Sequence, residues 1–234
     1  MDTEILTPPV HVGFILDGNR RWARKHSIPE MDGHLAGYNA LKEVMRACYD
    51  DGVQYVTIYA FSTENWQRNG KEVSGLMKLA MHIVTTDLKE LIKDKIRVRF
   101  LGRTGGISSK LLKGIEKAEE ATGHFTGKTL AICFNYGGQQ EITDAVRACA
   151  ADGIAPQDIT EEALSAHMYA ADVPPIDIIV RTSGEQRLSN FMLWRSTYSE
   201  LLFIDKFWPD MTKQDVTDII KEYNRRSRRF GGNS

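Results

Sequence analysis

Short apolar runs alternate with stretches of helical periodicity along this chain. Six runs have the length and composition of buried strands, at 10–16, 53–61, 96–101, 129–134, 176–180 and 201–204. Apolar residues recur at helical spacing between and after them, over 34–50, 71–93, 108–122, 139–150, 160–168 and 212–226. Strands separated by helices of this length indicate right-handed crossovers. The pattern therefore predicts a single α/β domain with a mostly parallel central sheet of about six strands flanked by helices, preceded by a flexible N-terminal leader at 1–9.

Composition narrows the class of protein. The hydrophobic fraction of 42% suits an ordinary globular core, and the formal net charge of -1 provides no general field for nucleic acid. The three cysteines are far apart and form no CxxC pair, so the sequence predicts neither a zinc site nor a disulfide framework and favours a cytoplasmic location. No segment has the pattern of a signal peptide or the length of a membrane span, although a peripheral membrane contact remains compatible with the sequence.

Polar residues gather directly after four of the predicted strands. Because carboxyl ends of parallel strands share one edge of a sheet, these loops are expected to surround Asp17 with other polar side chains. These are Arg20, Arg21, Ser62, Arg68, Arg181, Arg187 and Ser189. Guanidinium groups match phosphate oxygens, and a carboxylate beside bound phosphates suits Mg²⁺. The alternative is that each arginine is solvated or paired with Glu64, Glu185 or Glu200.

Several phosphate-binding classes lack their motifs. The segment 102–110 has the wrong spacing for a Walker loop, and no GxGxxG opens a helix. A haloacid-dehalogenase-like phosphatase requires a second aspartate two residues after the first, where this chain has Asn19. The DDxxD motif of trans-type prenyl synthases is also missing, since Asp50 and Asp51 are not followed by a third aspartate.

Several motifs, in order, carry a family resemblance. They are Asp-Gly-Asn-Arg-Arg-Trp-Ala at 17–23, Gly-His at 33–34, Tyr-Ala-Phe-Ser-Thr-Glu-Asn-Trp at 59–66, Asn-Tyr-Gly-Gly at 135–138, Arg-Thr-Ser-Gly-Glu-Gln-Arg-Leu-Ser-Asn-Phe at 181–191 and Arg-Arg-Phe-Gly-Gly at 228–232. Together they resemble the cis-prenyltransferases, whose best-known bacterial member is undecaprenyl diphosphate synthase. The resemblance covers residues 10–232 and implies that this range is one cis-prenyltransferase domain.

The resemblance implies an activity. Members of the family condense isopentenyl diphosphate onto an allylic diphosphate, such as farnesyl diphosphate, with a new cis double bond and with Mg²⁺ as cofactor. The expected product is a Z-polyprenyl diphosphate, a lipid-carrier precursor of undecaprenyl type. The resemblance also implies a homodimer, a hydrophobic tunnel for the growing product, and a peripheral membrane contact for product release.

Residue roles follow by position in the matching motifs. Asp17 corresponds to the aspartate that holds Mg²⁺ and promotes diphosphate departure, and Glu200 to a second metal ligand. Asn65 corresponds to the residue assigned as proton acceptor, but an amide is a poor base and is expected to position substrate instead. The allylic diphosphate loop and its neighbours correspond to Gly18, Asn19, Arg20, Arg21, Trp22 and His34. The second substrate-binding block corresponds to Ser62, Thr63, Glu64, Trp66 and Arg68. The isopentenyl diphosphate site corresponds to Arg181, Arg187, Leu188 and Ser189, and the tail that reaches into the partner subunit's site to Arg229 and Gly231.

Three departures from the family pattern concern primer affinity and product length. Glu30 stands where the family usually has an arginine that contacts the allylic diphosphate, so it is expected either to face outward or to weaken primer binding. Phe134 and Lys128 are candidates for closing the tunnel, whereas the small Ala60 suits a long product. Two other functions are kept open, a non-catalytic partner subunit and a Mg²⁺-dependent phosphatase.

Overall fold

The sheet of the computed structural model, which describes residues 6–226, is fully parallel. Its strands are β1 His11–Ile15, β2 Tyr55–Ser62, β3 Arg97–Leu101, β4 Thr129–Tyr136, β5 Ile178–Arg181 and β6 Glu200–Phe203. They lie in the order β3-β4-β2-β1-β5-β6, and each neighbouring pair is parallel. The predicted α/β class and strand number are therefore confirmed, and β1 lies inside the sheet.

Helices connect every strand to the next except β5 to β6. They are α1 Asn19–Lys25, α2 Glu30–Asp50, α3 Gly70–His82, α4 Leu88–Lys93, α5 Ser109–Thr122, α6 Gly138–Ala151, α7 Glu161–Ala166 and α8 Lys213–Arg225. Short 3-10 turns cover Thr63–Gln67, Pro156–Asp158 and Trp208–Asp210. Between residues 6 and 226, no helix has both the length and the apolar composition needed to cross a bilayer.

Both faces of the sheet are covered, which explains why all five residues of β1 are buried. Successive side chains of a strand point to opposite faces. Val12 and Phe14 accordingly join a large apolar cluster with residues of α2, α3, α4, α5 and α8. Ile15 joins a second cluster that includes Cys133 and Phe191.

Two helical segments differ from the sequence prediction. Helix α2 begins at Glu30 rather than at His34, because Pro29 precedes it with a fixed φ of -55° and acidic Glu30 and Asp32 favour the first turn. The helix predicted over 71–93 is interrupted by a π-helical turn at Ile83–Asp87. Such turns insert one residue into a helix and are frequent at functional sites.

The ion pair between Arg195 and Glu141 is buried. Arg195 Nη1 lies 2.7 Å from Glu141 Oε1, and the side chains are 5% and 0% exposed. The guanidinium also donates to the carbonyl oxygens of Val173 at 3.1 Å and Tyr169 at 2.6 Å, so its donors are largely satisfied by backbone acceptors. This pair joins α6 to the segment between β5 and β6.

Candidate active site

A cavity of about 530 Å³ opens beside the carboxyl end of β1, where the sequence predicted the polar loops to meet. One end is polar and carries Asp17, Asn19, Arg20, Arg21, Arg24, His34 and Arg68. The other end is apolar and carries Leu16, Tyr38, Leu41, Ile58, Ala60, Leu76, Leu79 and Ile83. A cationic mouth above an apolar interior suits a ligand with an anionic head and a hydrocarbon tail.

Asp17 is held by two arginines from distant parts of the chain. Arg21 Nη2 donates to Asp17 Oδ1 at 3.0 Å, and Arg181 Nη2 donates to Oδ2 at 2.8 Å. The Thr182 hydroxyl donates to the Asp17 carbonyl oxygen at 2.7 Å, which fixes the backbone after β1. The carboxylate therefore lies between two guanidinium groups at the edge of the cavity.

The turn after Asp17 requires glycine. Gly18 has a φ of +109°, and a Cβ there would lie 2.1 Å from Ser183 Oγ. The turn directs the first N–H groups of α1 toward the cavity edge, and helix N-termini favour anions. The Asn19 side-chain oxygen is buried and has no hydrogen-bond partner among the described residues. The sequence prediction of an anion-binding turn is consistent with this geometry.

Glu30 neutralises two arginines of α1 at the mouth of the cavity. Its carboxylate lies 3.1 Å from Arg20 Nε and 2.8 Å from Arg24 Nη2. The hydrogen bond from Arg24, together with the bond from Arg20, holds the pKa of Glu30 below its usual value. Glu30 therefore carries a negative charge beside Arg20, which the sequence assigned to the allylic diphosphate, and it does not face away from the cavity.

Glu72 is a buried residue beside the cavity that the sequence analysis did not name. Its side chain is 4% exposed, and its Oε1 lies 2.8 Å from Arg68 Nη1 and 3.1 Å from His34 Nε2. Arg20 Nε lies 4.0 Å from the same oxygen. Burial lowers the pKa of His34, although Glu72 opposes that shift. The sequence signal, Asn69 three residues before Glu72, is typical of a helix cap, and Asn69 indeed accepts the Glu72 N–H at 2.9 Å.

The second predicted block forms the turn after β2. Asn65 Oδ1 accepts the Ser62 backbone N–H at 3.1 Å, which completes a capping box, and Asn65 also lines the cavity. Trp66 Nε1 donates to Asn135 Oδ1 at 2.7 Å, away from the cavity lining. Glu64 accepts from Asn190 at 3.4 Å, and Thr63 lies against Gly137. The block thus joins β2 to the loops after β4 and β5.

The third predicted block, residues 181–191, does not line the cavity and is linked to it by the bond from Arg181 to Asp17. Arg181 is 4% exposed and donates to Ser189 Oγ at 2.7 Å and to the Arg187 carbonyl oxygen. The Arg187 guanidinium is 59% exposed and pairs with Glu185, which also contacts Arg21 at 2.9 Å. The bond from Arg187 holds the pKa of Glu185 below its usual value. Leu188 packs on the second apolar cluster.

Trp22 and Glu200 also lie apart from the cavity lining. Trp22 donates to Asp210 Oδ1 at 2.6 Å and is absent from the cavity lining. Glu200 begins β6 and pairs in register with Ile178, three residues before Arg181 on β5. At about 3.3 Å per residue, it lies roughly 10 Å back from the carboxyl edge, and its carboxylate contacts Arg226 at 3.0 Å. Arg229 and Gly231 lie outside the described residues.

Among the residues that line the cavity, Asp17 is the one carboxylate that could bind a metal ion. Within residues 6–226, no cluster of three or more His, Cys, Asp or Glu side chains could hold a metal. Mg²⁺ commonly takes one or two carboxylates and completes its shell with substrate phosphates and water. Asp17, next to an anion-binding turn and several arginines, fits that donor set.

Comparisons with known proteins agree on one family. The family model described as "Putative undecaprenyl diphosphate synthase" matches residues 15–231. An isoprenyl transferase from Thermotoga maritima is 45% identical over 226 residues, which cover 96% of this chain and 97% of the relative. A Thermobifida fusca protein named trans,polycis-polyprenyl diphosphate synthase, specific for (2Z,6E)-farnesyl diphosphate, is 42% identical and covers 96% of this chain and 81% of its own length.

One solved structure is similar to this chain in both fold and sequence. The crystal structure of lavandulyl diphosphate synthase from Lavandula x intermedia, in complex with dimethylallyl diphosphate, is similar with a TM-score of 0.92. The identity is 33%, and the alignment covers 96% of this chain and 99% of that chain.

Proposed function

Because the chain belongs to the undecaprenyl diphosphate synthase family of cis-prenyltransferases, we propose that it condenses isopentenyl diphosphate with an allylic diphosphate. The product is a Z-polyprenyl diphosphate one isoprene unit longer after each cycle. The observation that carries this proposal is the cavity itself, which joins a cationic mouth around Asp17 to an apolar interior. The predicted role of the product as a lipid-carrier precursor stays a prediction.

The allylic primer places its diphosphate at the start of α1. Backbone N–H groups after Gly18 and the guanidinium groups of Arg20, Arg21 and Arg68 provide donors for its oxygens. The hydrocarbon tail then enters the apolar end of the cavity beside Leu41, Ile58 and Leu79, while the polar end of the cavity holds the diphosphate. This orientation holds the carbon–oxygen bond of the primer close to Asp17.

Condensation breaks that carbon–oxygen bond and forms a carbon–carbon bond to isopentenyl diphosphate, with loss of one proton from the isopentenyl unit. Arginines stabilise the negative charge that develops on the departing diphosphate. The diphosphate of the isopentenyl substrate lies near Arg181, Arg187 and Ser189, on the other side of Asp17 from the primer. Asn65 positions the isopentenyl unit, because its amide oxygen already accepts the Ser62 N–H and an amide is a poor base.

Asp17 would hold Mg²⁺ together with substrate phosphate oxygens, and this metal would supply positive charge at the departing diphosphate. Arg21 and Arg181 keep the carboxylate oriented before substrate binds. Arg181 is buried, and the Asp17 carboxylate balances its positive charge.

Three further features belong to the proposal. The chain forms a homodimer, and the role of Arg229 and Gly231 in the partner's site stays a prediction, because these residues lie outside the described range. Glu200 is the predicted second metal ligand. Because it lies at the amino end of β6, it would bind a metal away from Asp17 of the same chain. The enzyme works in the cytoplasm and releases its product through a peripheral membrane contact.

The test is isoprene incorporation by the purified chain with Mg²⁺, isopentenyl diphosphate and either geranyl or farnesyl diphosphate. Chromatography of the dephosphorylated products should show added isoprene units, and a chelator should stop the reaction. A chain that is active alone cannot be a non-catalytic subunit. Release of phosphate from simple monoesters without chain elongation would instead support the phosphatase alternative.

Glu30 should weaken primer binding, because its carboxylate competes with a diphosphate for Arg20 and Arg24. We expect Glu30→Gln to lower KM for the allylic diphosphate about threefold, the size expected for one partly exposed ion pair. Steady-state kinetics at fixed isopentenyl diphosphate measure this change. Glu43→Gln makes the same charge change at an exposed position of α2 and should leave KM unaltered. An unchanged or higher KM for Glu30→Gln would show that Glu30 does not compete.

A further inference from the structure

A second cavity continues the path of the first. Its volume is about 30 Å³, and it shares Tyr38, Leu41, Ile58 and Ile83 with the larger cavity. From there it extends along Ile132 of β4 and ends among charged side chains of α2 and α4. An apolar path therefore leads from the polar mouth toward the gap between these two helices, and Tyr38 stands where the two cavities meet.

Tyr38 lines both cavities and, with Lys42 and Asp87 of the smaller cavity, forms a polar barrier where the path leaves the larger one. The Tyr38 hydroxyl donates to Asp87 Oδ2, and Lys42 Nζ lies 3.2 Å from Asp87 Oδ1. Tyr38 is 8% exposed and Asp87 is 7% exposed. Burial, followed by the bond to Asp87, raises the pKa of Tyr38, so the hydroxyl keeps its proton and its donor role.

The position of Asp87 is unusual for a carboxylate. It ends the π-helical turn Ile83–Asp87 and lies on the buried side, as Val84 and Leu91 do. A charged side chain is rarely buried unless it is paired, and pairing seldom improves stability over an apolar residue of similar volume. Core packing alone therefore does not explain why these hydrogen-bonded polar side chains are buried here.

We propose that this polar barrier ends product growth, so that the chain makes a Z-prenyl diphosphate shorter than the undecaprenyl type. The inference rests on the proposed prenyltransferase function. A growing tail meets the ring of Tyr38 and a hydrogen-bonded carboxylate that it cannot solvate. Phe134 and Lys128, which the sequence offered as the tunnel end, line neither cavity.

The test compares product lengths. Tyr38→Ala should open the junction and shift the longest product by one or more isoprene units, measured chromatographically after incubation with Mg²⁺, farnesyl diphosphate and excess isopentenyl diphosphate. Tyr38→Phe keeps the ring and loses only the hydroxyl. It should give a smaller shift in the same direction, and it still tests the proposal if Tyr38→Ala fails to fold. Asn39→Ala alters an exposed neighbour on α2 and should leave the product unchanged.

A double variant tests the direction of growth. Adding Leu91→Phe to Tyr38→Ala narrows the smaller cavity, which Leu91 lines, and should return the product to its original length. A product that stays long would show that the tail leaves by the groove between α2 and α3, which Tyr38 also borders, and would overturn the proposed path. Identical product lengths for the unaltered chain and both single variants would overturn the barrier while leaving the prenyltransferase function intact. An unaltered chain that makes no prenyl product with either primer would overturn both.

Discussion

Asp17→Asn should lower kcat for isoprene incorporation by about a thousandfold, the upper end of the loss seen when one group that stabilises a developing charge is removed. Asparagine keeps the shape of the side chain but removes the charge that Arg21 and Arg181 contact at 3.0 and 2.8 Å. It also removes the carboxylate that would hold Mg²⁺ beside substrate phosphates. Steady-state incorporation of isopentenyl diphosphate measures the loss.

The control for this variant is Asp218→Asn, the same change at a side chain that is 59% exposed on α8. It should leave kcat unaltered. Circular dichroism should show that Asp17→Asn keeps its secondary structure, since Asp17 is only half-buried. Retention of most of the activity by a folded Asp17→Asn variant would contradict the proposed role of the carboxylate.

Arg195→Met should cause the largest loss of stability outside the site. It leaves the fully buried Glu141 carboxylate without its cation, and breaking a buried pair in this way costs about 3–5 kcal/mol. It also removes donors from the carbonyl oxygens of Tyr169 and Val173. For a domain of this size we expect Tm to fall by roughly 10 °C, at about 2–4 °C for each kcal/mol.

Thermal unfolding followed by circular dichroism measures this effect. Arg147→Met is the matched control, because Arg147 is 72% exposed and its pair with Asp144 lies at the surface. Such pairs contribute about 0–1 kcal/mol, so its Tm should change little. A Tm for Arg195→Met within about 2 °C of the unaltered chain would contradict the expected cost of leaving Glu141 buried without a cation.

The sequence predicted the sheet and the edge at which the site lies, because both follow from local patterns. Apolar runs and helical spacing located the strands, and parallel topology placed Asp17 and Arg181 together. The amino-edge position of Glu200 was also implied, since the residue stands directly before the run at 201–204. The metal role that the family resemblance assigned to Glu200 stays a prediction.

Other features depend on tertiary contacts that local patterns do not contain. Glu72 resembles an ordinary residue of a capped first turn, and only the approach of α2 to α3 shows that it holds His34 and Arg68. The pairing of Glu30 with Arg20 and Arg24 depends on how α1 packs on α2. The π-helical turn at Ile83–Asp87 keeps nearly the same apolar spacing as an α-helix, so periodicity could not distinguish the two.

The strand order determines when the site can form during synthesis of the chain. β1 pairs with β5, and the bond between Asp17 and Arg181 joins residues 164 positions apart. Contacts this distant are slow to form, because a long loop must be closed before they contribute. During synthesis from the N-terminus, β1 to β4 can pair before β5 has left the ribosome. The two halves of the site thus meet only after β5 has emerged, and a nascent chain stays inactive until then.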